Sequence, residues 1–260
     1  MGSFFSTTQN VESFDHTLNP ERPPLSGREA LEALIFAEKI DQYRKQVSES
    51  PPNLEARKNQ DYMPARYSIP RVVLPSKKWP NGQVLWLDES ADGGLPHTRP
   101  PYFICLPINI PDNKLVTTLE HERIHLSQRK NPEKWQTMFE KAWSMKPWSA
   151  SSGDVPLEIL QRQRLNPDII NIPMYIWKDE WVVFALFRSM KPSNLSDVDI
   201  VWWHAPSRTL HRDAPPGWKE FFGDVTAGEH PYEIAAYLLA DFADLKNDSP
   251  AYKAIKALVD

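Results

Sequence analysis

The chain carries 25 prolines against 9 glycines in 260 residues, a balance that argues for many rigid, irregular connections between its regular elements. Against that background the run from Asn113 to Asn131 is distinctive, because neither Gly nor Pro interrupts it. Leu115, Val116, Leu119, Ile124 and Leu126 supply apolar contacts along it, so the run reads as a helix. Within it lies His121-Glu122-Arg123-Ile124-His125, an H-E-x-x-H pattern. Residues four apart share a helix face, which lets His121 and His125 present two imidazoles to a single ion. Two His at that spacing suit Zn²⁺, with Glu122 placed to take a proton from water that the ion activates. The plainer alternative is a surface helix with two solvated His; the helical context favours the metal.

On these residues the chain resembles the zincin metallopeptidases, which are named for this H-E-x-x-H helix. The resemblance covers Thr117–Arg129 and one further segment near the C-terminus. It implies zinc-dependent hydrolysis of a peptide bond, with His121 and His125 as zinc ligands and Glu122 as general base. A catalytic zinc site keeps three protein ligands, so a third is to be found. The metzincin extension fails, because Gln128 and Asn131 stand where its Gly and last His belong. In gluzincins a Glu arrives from a later helix. Glu133 and Glu140 follow His125 too closely for that return. The best segment is Gly228-Glu229-His230-Pro231-Tyr232-Glu233 with Ala235 and Ala236 beyond it. Pro231 suits a first helical turn, and the alanines let two helices approach closely. Glu233 is the favoured ligand and Glu229 the runner-up; an acid that merely suits a helix N-terminus is the plain reading of Glu233. The separation from His125 is long for a gluzincin and leaves no specific family assigned. An oxyanion stabiliser is expected beside the metal. Tyr232 is chosen over His230, Tyr237 and Tyr175, while His204 and His211 read as structural.

The fold expected is α+β and zincin-like. An N-terminal lobe, about 26–147, holds a small mixed sheet and the motif helix. A C-terminal lobe, about 148–260, is mostly helical and irregular and supplies the third ligand. Ser26-Gly27-Arg28-Glu29 suggests a capping box opening a helix to Val47. Residues 82–88 and 102–110 read as strands, with Arg71–Leu74 as a short candidate. Pro107 makes the 102–110 strand an edge or breaks it, and the resemblance implies an edge that binds substrate by strand addition. His97 and Arg99, in the loop before it, either contact a substrate carbonyl or carboxylate or form a solvated pair. Residues 132–143 and 231–244 and a terminal stretch from Ala251 read as helices, and 169–177, 180–188 and 198–204 as extended.

Bulk properties exclude other classes. The chain is 41% hydrophobic with net charge −4, which gives no argument for nucleic acid. No apolar run reaches the ~18 residues of a membrane span, and no secretory signal is evident, which points to an intracellular, cytoplasmic protein. Cys105 is the single cysteine, so a cysteine zinc site is excluded. Residues 1–25 read as a flexible arm whose start matches the N-myristoylation pattern at Gly2; a cloning scar would look the same. One acyl chain without a basic patch would give at most weak membrane association. The function expected is a zinc metallopeptidase acting on peptide or protein, with oligomeric state open. The rival is a non-catalytic, N-myristoylated interaction module with a zincin-like fold.

Overall fold

A computed structural model describes residues 23–60, 62–67, 71, 73–149, 154–223, 228–240 and 248–259. The Gly2 acylation pattern therefore lies outside the described residues. The class is α+β, with two small sheets and nine α-helices among the described residues. Among the described residues, no helix is long and apolar enough to cross a membrane.

The first sheet contains β1 (Gln83–Leu87), β2 (His97–Arg99) and β3 (Phe103–Pro107) in the order β1-β3-β2. β1 runs parallel to β3 with Leu85 opposite Cys105, and β2 is antiparallel to β3 with Thr98 opposite Ile104. The segment expected to be an edge is thus the central strand. The physical reason lies in its composition: Phe103, Ile104, Cys105 and Leu106 are all buried, and an uninterrupted apolar run suits a strand covered on both faces. Pro107 is tolerated because it is the last residue of the ladder, opposite Leu87. Gly82 leads into β1 where a Cβ would come within 2.5 Å of Leu126 Cδ1 and 2.6 Å of the Tyr102 carbonyl oxygen, so only glycine fits there.

Both edges of this sheet are occupied. Leu25, expected in the arm, exchanges backbone hydrogen bonds with Val84 and Trp86, and Ala65 donates to Trp86 O, which covers β1. On the β2 side, Thr98 N–H donates to Asp168 Oδ1 at 2.7 Å and Thr98 O accepts from Arg129 Nη2 at 3.3 Å. The main-chain groups that strand addition would need at Thr98 are already paired, so the expected mode of substrate docking does not apply.

Helices α1 (Gly27–Asp41) and α2 (Tyr43–Glu49) divide the helix expected to run to Val47, because Gln42 takes φ 54 between them. Ser26 holds the N-cap position but its hydroxyl makes no capping bond. Pro51, expected beyond a helix end, instead starts α3 (Pro51–Ala56). No strand forms in the described part of 71–74. The motif helix α4 (Asp112–Lys130) is followed by α5 (Pro132–Trp143).

The C-terminal half is not mostly helical. It contributes four strands to a five-stranded antiparallel meander of β4 (Met145–Pro147), β5 (Tyr175–Trp177), β6 (Trp181–Phe187), β7 (Val198–His204) and β8 (Thr209–His211). Helices α6 (Leu157–Gln161), α7 (Trp218–Phe222), α8 (Pro231–Leu239) and α9 (Pro250–Val259) complete it. The largest core joins the aromatic stripe of α5 (Trp135, Phe139, Trp143) to Tyr175, Trp177, Trp218, Phe222 and Tyr232. By packing, α5 belongs with the C-terminal half, so the cores divide near α4. That helix meets sheet 1 through Leu115, Leu119 and Leu126, and meets the aromatic core through Ile124.

Candidate metal centre

Both ligand-bearing helices are buried where they meet. On α4 the buried residues run almost without a gap from Thr118 to Gln128, including His121, Glu122 and His125; Val116, expected to be an apolar contact, is exposed. α8 packs directly against α4. It opens on Pro231, and His230 caps it by accepting the Tyr232 N–H at Nδ1. Ala235 and Ala236 are completely buried, the small side chains that such an approach requires.

This packing brings His121, His125 and Glu233 together. The two Nε2 atoms lie 3.1 Å apart, and Glu233 Oε2 lies 3.5 Å from each. A tetrahedral ion with ligand bonds of about 2.0–2.1 Å holds its donors about 3.3–3.4 Å apart, so the three spacings fit one ion. The group could hold a metal, as could a second, overlapping one of Glu122, His125 and Asp168. A further sign is Glu122 Oε2, which is buried with no hydrogen-bond partner among the described residues; a buried polar atom left in that condition is normally satisfied by something. Glu229, the runner-up, is directed elsewhere: Arg164 Nη2 donates to both of its oxygens at 2.8 Å.

The electrostatics are those of a site that wants positive charge. Burial and then Asp168 push Glu122 well above the usual carboxylate range. Burial alone would lower His125, but Asp168 and Glu233 outweigh it and raise the ring to about 10. Burial would raise Glu233, yet His125 and His121 hold it well below its ordinary value. Burial lowers His121. Protons on His125 thus balance Glu233 and Asp168, and a cation would replace them.

The centre faces a cleft of about 850 Å³ lined by His97, His121, Glu122, Asp168, Glu233 and Tyr237, with Ile110, Leu195, Val198 and Ile200 among its apolar contributors. The other expected residues separate sharply. Tyr232 is not on the cleft; its ring packs among Phe139, Tyr175 and His230. Tyr237 is on the cleft, its ring centroid 4.6 Å from that of His121. It follows Glu233 by four residues and so shares its helix face, a signal present in the sequence. Arg99 is fully buried, donating to Asp41, Glu38 and Tyr62, and is not available to a substrate. The acids that claim it come from α1, far away in sequence. His97 lies on the cleft wall but is buried, tied to Tyr62 OH at 2.8 Å and to Leu95 O at 3.0 Å. Sequence reasoning missed Asp168 and Asn166, polar residues in a stretch without a pattern, and took Gln128 only as a departure from the metzincin extension, although its three-residue offset from His125 on the motif helix was a signal. Asn166 Nδ2 bridges Glu229 and Glu233, at 2.9 and 2.7 Å.

Comparison with protein-family models, with curated proteins and with solved structures gives no significant match. What the centre does is therefore argued from its own geometry.

Proposed function

We propose that this chain is a zincin-like, gluzincin-type metallopeptidase, with Zn²⁺ held by His121, His125 and Glu233. The observation that carries the reading is the convergence of those three buried donors at tetrahedral spacings, with His121 and Glu233 on the wall of a cleft and His125 behind them, beside a carboxylate with an oxygen unpartnered among the described residues. When bound, zinc would supply a Lewis acid for the scissile carbonyl and acidify a water. Glu122 takes the proton of the attacking water and returns it to the leaving amine. Burial and Asp168 raise Glu122 in the metal-free protein, and a cation bound beside it would favour the carboxylate that the first half of that exchange needs. Tyr237 is placed to donate its hydroxyl to the oxygen that gains charge. The cleft, with acidic groups at the centre and an apolar wall, has the size for a short stretch of peptide.

The test compares wild type with Glu122→Gln. Both should bind about one zinc by elemental analysis, and only wild type should cleave a library of internally quenched peptides. The mutant should be slower by about 10²–10⁴-fold. A zinc-free wild type, or equal cleavage by the two proteins, overturns the reading. Zinc without cleavage in either protein would instead leave the interaction module.

A further inference from the structure

We infer that Gln128 is a positioning residue that fixes which nitrogen of His125 faces the metal and locks the two ligand-bearing helices in register; this rests on the metal reading above. Gln128 is completely buried, three residues after His125 on α4. Its Oε1 lies 2.8 Å from His125 Nδ1, and its Nε2 donates to Tyr232 O at 3.0 Å. Tyr232 is the residue before Glu233 on α8. One side chain therefore touches the ring of one ligand and the backbone beside another.

The network decides the orientation of the amide. A backbone carbonyl only accepts, so the amide nitrogen must face Tyr232 and the amide oxygen must face His125. An amide oxygen only accepts as well, so the proton of His125 sits on Nδ1. When a cation displaces the second proton of the ring, the other nitrogen, Nε2, presents its lone pair toward His121 and Glu233. Without an acceptor at Nδ1, the ring could place its proton on Nε2, where it would occupy the position of the ion. An outer acceptor of this kind also raises the basicity of the ligand nitrogen.

The amide has two separable jobs, and two substitutions divide them. Gln128→Met keeps the volume but offers His125 no strong acceptor. Gln128→Glu keeps an oxygen for Nδ1 and gives up the donor to Tyr232. Zinc affinity is measured by competition with a chromophoric chelator, alongside thermal unfolding of the metal-free proteins. Q128M should bind zinc about 10–100-fold more weakly than wild type. Q128E should bind no more weakly than wild type, although its metal-free form melts lower. If the residue serves only to tie the helices through Tyr232 O, Q128E will lose affinity as Q128M does, and the inference fails. It fails also if Q128M binds as wild type does. Should Q128M not fold, Q128E decides alone, and a tenfold loss of affinity there overturns the inference. If wild type binds no zinc, or His121→Ala binds it equally well, the metal reading itself falls and takes this one with it. A wild type that binds normally beside an unaffected Q128M removes only the role of Gln128.

Discussion

The side-chain amide of Asn166 donates to Glu233 Oε1 at 2.7 Å, which leaves Oε2 of the same carboxylate turned toward both imidazoles. The same nitrogen donates to Glu229, so one neutral group stands between two buried acids that would otherwise repel. The two acids are held for different ends, Glu229 by Arg164 and Glu233 toward His121 and His125. Glu233→Gln keeps an acceptor for Asn166 but removes the charge. Its zinc affinity should fall by more than the about 10–100-fold typical of losing an outer partner. Glu229→Gln should weaken zinc binding less, while lowering stability because the Arg164 guanidinium loses its partner. Chelator competition on both variants decides, and a larger affinity loss in E229Q would remove Glu233 from the ligand set.

What could be read in advance follows from the range of the interactions. The motif helix and the Pro231 helix declare themselves locally, through an uninterrupted window, a first-turn proline and two small residues, and Glu233 follows from them. Arg99 could not be placed that way, because Asp41 and Glu38 lie 58 and 61 residues before it. Thr98 could not be recognised as a closed edge, because Asp168 is 70 residues away. The central position of β3 was masked by Pro107, which counts against an inner strand only where a ladder N–H is needed. β8 and α7 are only three and five residues long, too short for any periodicity to show. Tyr237 was within reach, since its four-residue offset from Glu233 places the two on one face.

That offset makes a direct comparison possible. Tyr237→Phe should retain zinc and lower kcat by about 10²–10³-fold, the usual cost of removing one oxyanion donor. Tyr232→Phe, altered inside the aromatic core, should leave kcat close to wild type. Steady-state kinetics on any cleaved peptide checks both. The reverse ranking would return the role to Tyr232.

Arg99 yields a prediction about stability instead of substrate. Its guanidinium is fully buried between Asp41 and Glu38, so Arg99→Met leaves a buried carboxylate unpaired. Breaking such a pair costs about 3–5 kcal/mol, to be read from urea denaturation. KM of whatever fraction stays folded should not change. A raised KM with unaltered stability would instead restore Arg99 to the substrate site.

His230 predicts how the fold responds to acid. Nδ1 accepts the Tyr232 N–H and Nε2 donates to Pro173 O at 3.1 Å, so the folded ring is neutral, and burial pushes its pKa down to about 4. In the unfolded chain a His titrates near 6.5. Between about 6.5 and about 4 the unfolded chain therefore holds a proton that the folded one does not, and stability falls as pH drops through that window. Above it the ring contributes no pH dependence. The slope from one such group approaches about 1.4 kcal/mol per pH unit. Glu233, lowered in the fold, adds its own loss in the same direction nearer the acid end. His230→Asn separates the two, since Asn can still accept from Tyr232 N–H at the N-cap and does not titrate. Urea denaturation of the metal-free proteins across this window should give H230N the shallower slope, by about 1.4 kcal/mol per unit through its middle. Parallel slopes in the two proteins would mean that His230 is not the group that resists protonation in the fold.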